Sequence, residues 1–65
     1  MILILNGQPT DTSATTITEL LDEQNIAADG TAVAVSEQVV PRSQWESTSL
    51  TEGAAVEILT AVQGG

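Results

Sequence analysis

The 65-residue chain has no cysteine and no histidine, and its one basic side chain is Arg42, so lysine is missing too. Without cysteine there is no disulfide framework and no thiolate metal site to stabilise the fold, and thiol usage encodes no redox compartment. Without histidine there is no neutral-pH proton shuttle, and the commonest metal ligands and usual nucleophiles go with these two residue types. Serines and carboxylates remain, yet a catalytic serine needs a nearby base, and neither histidine nor lysine is there to serve. The expectation is a protein that is acted upon and binds no metal or cofactor of its own.

Nine acidic residues against one basic residue give a net charge of -8, which repels phosphate backbones and anionic lipid surfaces. Nucleic acid and membrane partners are disfavoured. The same field either steers the domain toward basic protein surfaces or serves as a solvated coat, and charge alone names no partner. No segment has the length of a membrane-spanning helix, and the opening Ile2-Leu3-Ile4-Leu5 is too short, and lacks a basic leader, for a signal peptide. A cytoplasmic location is expected. There is no repeat, low-complexity tract or linker, so the reading is one domain over residues 1–65 with a flexible tail at 62–65. At this size folding buries only about 60% of the unfolded chain's surface. A hydrophobic content of 42% suffices for one core.

What is present divides into short elements. Met1 to Leu5 is a continuous aliphatic run closed by Asn6-Gly7, a strong hairpin signal because both central turn positions need positive φ. Gln8 to Asp11 is the returning strand, and Pro9, which cannot donate to a ladder, makes it an edge strand. Thr16-Ile17-Thr18-Glu19 fits a capping box ahead of one short amphipathic helix, with Ile17, Leu20, Leu21 and Gln24 in helical spacing and Glu19, Asp22 and Glu23 toward solvent. Asp29-Gly30 turns into a third strand, Thr31-Ala32-Val33-Ala34-Val35, followed by a short return strand Gln38-Val39-Val40. Pro41 stops that strand and opens a single turn, Arg42-Ser43-Gln44-Trp45. Glu52-Gly53 marks the last turn before the apolar run Ala54 to Val62.

Strands on one side of one helix give an α+β fold. The first and last strands, both unbroken apolar runs, are expected as adjacent parallel central strands, which makes the arrangement a ubiquitin-like β-grasp with a mixed sheet. Alternation places Leu3, Leu5, Val56 and Ile58 toward the helix, and Ile2, Ile4, Glu57 and Leu59 on the opposite face. Ile2, Ile4 and Leu59 then form an exposed apolar patch for a partner, unless the loop near Leu50 covers them. Trp45 reads as a lid on the core with its indole N–H on a carbonyl, and Arg42 as a surface ion pair or turn-carbonyl partner.

The chain closes on Gly64-Gly65. At an average glycine usage of about 7%, such a pair ends roughly 0.5% of chains by chance. Two readings stand: a frayed end that tolerates glycine, or a terminus that enters a narrow site on another protein where no Cβ fits.

Over nearly its whole length the chain resembles the ubiquitin-like sulfur carriers, and among them the ThiS family of thiazole formation in thiamin biosynthesis. The aliphatic start closed by Asn6-Gly7, the segment Val39-Val40-Pro41-Arg42-x-x-Trp45, and the final strand running to Gly64-Gly65 carry the resemblance. It implies that an E1-like, ThiF-like adenylating enzyme uses ATP and magnesium to adenylate the carboxylate of Gly65. Sulfur from a sulfur-donor protein then makes a thiocarboxylate, which a ThiG-like thiazole synthase consumes. Gly64 gives the tail access, and Ile2, Ile4, Leu59 and Val62 are the expected docking residues.

Neighbouring readings are the small subunit of a molybdopterin synthase, which shares fold, tail and chemistry, and a ubiquitin-like protein modifier. Having no lysine, this chain could not build lysine-linked chains on itself. An acyl carrier is disfavoured because Thr48-Ser49-Leu50 lacks the aspartate of the attachment motif and the strand-rich pattern does not fit an all-helical fold. A non-carrier β-grasp binding module with an incidental glycine end is the remaining alternative.

Overall fold

The computed structural model describes residues 1–60. The readings placed on Val62, Gly64 and Gly65 lie outside the described residues. Five strands form one sheet in the order β2-β1-β5-β3-β4: β1 is Ile2–Leu5, β2 Gln8–Asp11, β3 Thr31–Val35, β4 Gln38–Val40 and β5 Ala55–Thr60. The helix α1, Ile17–Glu23, crosses between the two hairpins, and Arg42–Gln44 forms one 3₁₀ turn. As expected for the β-grasp, β1 and β5 are neighbours and run parallel, with Ile4 beside Ala55 and Leu5 beside Val56. β3 and β5 pair antiparallel over five positions, from Thr31 opposite Thr60 to Val35 opposite Val56.

Local chemistry accounts for the turns. Asn6 and Gly7 both have positive φ, 50° and 82°, as a two-residue hairpin requires. The Asn6 side chain also prolongs the β1–β5 ladder past the end of β1, its Oδ1 accepting from the Ile58 amide at 2.8 Å. The second hairpin turns through Ser36 and Glu37 at φ 52° and 68°, a left-handed pair without glycine that the sequence does not announce. Pro9 lies on the edge strand β2, where its missing N–H interrupts no central ladder.

The helix begins as its capping box predicts, with Thr16 Oγ1 accepting from the Glu19 amide at 3.2 Å. The Glu19 carboxylate reaches back one residue beyond the cap, to the amide and hydroxyl of Thr15, both at 2.8 Å. Gln24 does not extend the apolar stripe; it is an exposed C-cap. Asn25 follows at φ 60°, the Ile26 amide donates to the Leu21 carbonyl at 2.8 Å and the Asn25 amide to that of Asp22 at 3.1 Å. This is a Schellman ending with asparagine in the place glycine usually takes.

One core lies between α1 and the inner sheet face. Leu3, Val33, Val56 and Ile58 from the sheet meet Ile17, Leu20 and Leu21 from the helix, with Ala14, Trp45 and Leu50 from the connections closing the sides. Since the helix covers only one face, β1 and β5 are buried on alternate residues, and the run of β5 is broken by Glu57 on its open face. Leu3 and Val56 are fully buried, while Ile2 and Leu59 are exposed.

Candidate functional site: the outer sheet face

Register fixes the layout of the uncovered face. Beginning at the β2 edge, Asp11 stands beside Ile2, and Pro9 beside Ile4, which stands beside Ala55. Further along β5, Glu57 is opposite Ala34, which is opposite Val39, and Leu59 is opposite Ala32. The large apolar side chains are open to solvent: Ile2 at 40%, Leu59 at 71% and Val39 at 76% of full exposure. Leu50 sits in the core at 6%, so it does not cover them.

Ile2, Ile4 and Leu59 share a face, as alternation predicts, but they do not form one continuous patch. Ala55, beside Ile4, and Leu59 are four residues apart on β5, which is roughly 13 Å along a strand. Leu59 therefore projects past the end of β1, and its lateral neighbour is Ala32 on β3. Val39, which alternation along β4 could have put on this face, joins Leu59 on that side. Between the two apolar groups stands Glu57, exposed and with no hydrogen-bond or ion-pair partner among the described residues.

The other polar groups of interest are structural. Trp45 is buried and its indole N–H donates to the Val40 carbonyl at 2.8 Å, so it is the expected lid. Arg42 pairs with Asp29 at 2.9 Å, both side chains well exposed. A groove of about 550 Å³ beside α1 is lined by Thr18, Ala28, Arg42, Ser43, Trp45 and Glu46, but it holds no nucleophile with a base.

Thr12 is buried, its hydroxyl donating to Glu23 Oε1 and accepting from the Ala14 amide at 3.0 Å. The Thr12 hydroxyl bond, chiefly, holds the Glu23 carboxyl below its ordinary value, with the Ser13 amide and hydroxyl adding to it. The Thr15 amide, and after it the Thr15 hydroxyl, does the same for Glu19. Both glutamates are exposed, as expected from the sequence, and from that side their carboxylates tie the loop before the helix to its two ends. Among the described residues no group of three or more His, Cys, Asp or Glu side chains could hold a metal ion, and no helix is long and apolar enough to cross a membrane.

The ThiS family model matches residues 3–65. The sulfur carrier protein ThiS of Escherichia coli is 30% identical over 66 residues, which cover all of both chains. That of Thermus thermophilus is 31% identical over 61 residues, 94% of this chain and 95% of the relative. A crystal structure of the thiamine biosynthesis protein ThiS of Geobacter metallireducens superposes with a TM-score of 0.85 at 32% identity over the whole of both chains. A solution structure of a thiamine biosynthesis protein from the same organism gives 0.83 at 30% identity, covering all of this chain and 88% of the other.

Proposed function

The chain belongs to the ThiS family, and from that premise we propose that it is the protein carrier of sulfur for thiazole formation in thiamin biosynthesis, charged at the carbonyl carbon of Gly65. The observation that carries this reading is the family match, which runs through Gly64 to Gly65 and joins the tail to a β-grasp body of the same family.

A carboxylate is a poor electrophile until one of its oxygens becomes part of a good leaving group. This chain cannot perform that step, so an adenylating, ThiF-like partner supplies it with ATP and magnesium, releasing pyrophosphate as the Gly65 acyl-adenylate forms. Sulfide-level sulfur delivered by a donor protein then attacks the carbonyl carbon, the bond to AMP breaks as the carbon–sulfur bond forms, and a thiocarboxylate is left. Its anionic sulfur is nucleophilic toward the carbonyl-derived intermediate held by a ThiG-like thiazole synthase. The absence of cysteine means that no thiol of this chain competes for the acyl-adenylate. Gly64 passes the tail through a channel too narrow for a Cβ. Ile2, Ile4, Leu59 and Val62 dock the partners. Since the activating step consumes ATP, the proposed compartment is the cytoplasm.

An intact mass from native cells tests the reading: one oxygen replaced by sulfur, located at residue 65, is expected. Free carboxylate alone, despite co-expression of the adenylating enzyme, would overturn it. Gly65→Ala, Gly64→Ala and a chain lengthened by one residue are each expected to fold normally and to lose adenylation. Full retention in all three would refute the narrow channel. Reconstitution with a thiazole synthase against a molybdopterin synthase partner assigns the pathway.

A further inference from the structure

We propose that the outer sheet face receives one arginine or lysine side chain from a protein partner, its alkyl stem in the hollow between Leu59 and Val39 and its cationic head on the Glu57 carboxylate. The proposal rests on the sulfur-carrier reading only for naming that partner as the adenylating enzyme.

Three observations carry it. The first is shape. Ala34 lies between Glu57 and Val39, and Ala32 lies beside Leu59, so two small residues are walled by larger ones. The result is a hollow of about 100 Å³ lined by Ala32, Val33, Ala34, Val39, Glu57 and Leu59. Its walls are mostly apolar and its one charged wall is Glu57, which suits an alkyl stem that ends in a polar head. Arginine and lysine lay such stems along apolar surface while their heads stay at a polar site.

The second is charge. Glu57 sits between the two apolar groups of the face, on the central strand, with no partner among the described residues. A partner surface that covers Leu59 and Val39 also takes water from Glu57. An apolar cover would leave a desolvated carboxylate uncompensated, so the cover has to bring donors, and a cationic head is the strongest of them.

The third is elimination within the molecule. The chain's one basic side chain, Arg42, is engaged by Asp29 at 2.9 Å. A second copy carries the same net charge of -8 and brings no excess of positive charge to this face. The occupant is therefore a different protein, and the same carboxylate that admits it discourages self-stacking of an exposed apolar sheet.

The test is a calorimetric titration of the adenylating enzyme with the full chain and four variants, alongside an adenylation assay and thermal melts of each. Glu57→Gln is expected to weaken binding by about tenfold or more and Glu57→Lys further, as when one member of a covered charge pair is lost. Ala32→Leu, which fills the hollow and leaves the charge unchanged, is expected to weaken binding by a similar factor. Asp22→Asn, an equal change in net charge on the exposed side of the helix, should stay within about twofold, because long-range charge is largely screened. Binding of Glu57→Gln within about twofold of the wild type would overturn the inserted cation while leaving the carrier reading intact. Should Glu57→Gln melt early, Ala32→Leu decides on the same criterion. Wild-type binding without any adenylation would overturn the carrier reading instead, and no wild-type binding at all would overturn both.

Discussion

Replacing Trp45 by phenylalanine isolates the role of the chain's one aromatic side chain. Trp45 is 4% exposed, and its indole N–H donates to the Val40 carbonyl at 2.8 Å. It is held at the end of the 3₁₀ turn by its own amide on the Arg42 carbonyl at 3.1 Å, a bond that phenylalanine keeps. Two losses therefore remain. The hydrogen bond contributes about 1 kcal/mol net, and a Val40 carbonyl left in the protein without its indole partner raises the cost to about 1–3 kcal/mol. A residual cavity of about 30 Å³ adds roughly 0.7 kcal/mol at about 24 cal/mol per Å³. The sum, about 2–4 kcal/mol, compares with a total of about 3–5 kcal/mol for a domain of this size. Urea titrations followed by circular dichroism should show a midpoint lower by about 2–4 M for a slope near 1 kcal/mol/M. Melts should fall by at least about 10 °C. A change under about 0.5 kcal/mol would refute the lid. So would unchanged stability with lost adenylation, since Trp45 would then act on a partner.

Two further outcomes follow from the loop and the second hairpin. Glu19 and Glu23 have carboxyls held below the ordinary value of 4.5 by hydrogen bonds from Thr15 and Thr12 respectively, so their stabilisation is complete above that value. It is lost as pH falls through the lowered folded values, because the unfolded chain binds protons first. Urea midpoints should begin to fall below about pH 4.5, and Glu23→Gln should make that fall shallower; equal slopes would exclude the Thr12–Glu23 bond as a source. Replacing Ser36 with Asn and Glu37 with Gly puts residues suited to φ 52° and 68° into the turn and is expected to raise stability by about 1–2 kcal/mol. No gain in a thermal melt would mean that the left-handed pair is not strained.

The order of elements was legible because each boundary carries its own chemistry. Asn6-Gly7 demands positive φ, Pro9 and Pro41 remove donors, and Thr16 with Glu19 marks a helix start. The parallel pairing of β1 with β5 also followed, since both are aliphatic runs. The Ser36-Glu37 turn did not, because neither residue favours the left-handed region and the turn is imposed by the pairing of β3 with β4. The Schellman ending at Asn25 escaped for a related reason, its signal being a backbone pattern with asparagine where glycine is usual. At the candidate site, alternation put Ile2, Ile4 and Leu59 on the right face. It could not give their separation, because the offset between β1 and β5 depends on tertiary register. That offset moves Leu59 beyond β1 and sets it beside Ala32, and so exposes Glu57 as the divider of the face.

The position of β5 connects this face to the proposed chemistry. β5 is the central strand, held by β1 on one side and β3 on the other, while the edges are the proline-bearing β2 and the three-residue β4. Glu57 and Leu59 lie on the same strand as Thr60, so a partner seated on the outer face grips the strand from which residues 61–65 continue. Five residues span at most about 18 Å. An adenylating enzyme docked on Glu57 and Leu59 must therefore hold its nucleotide within that distance of Thr60. Docking and reach are then coupled: a partner seated on the Ile2–Ile4 side begins roughly 13 Å farther back along β5. The Leu59 side is for this reason the nearer seat for the proposed activation, and a partner that also covers Ile2 and Ile4 has to extend farther along β5 to meet the terminal carbonyl.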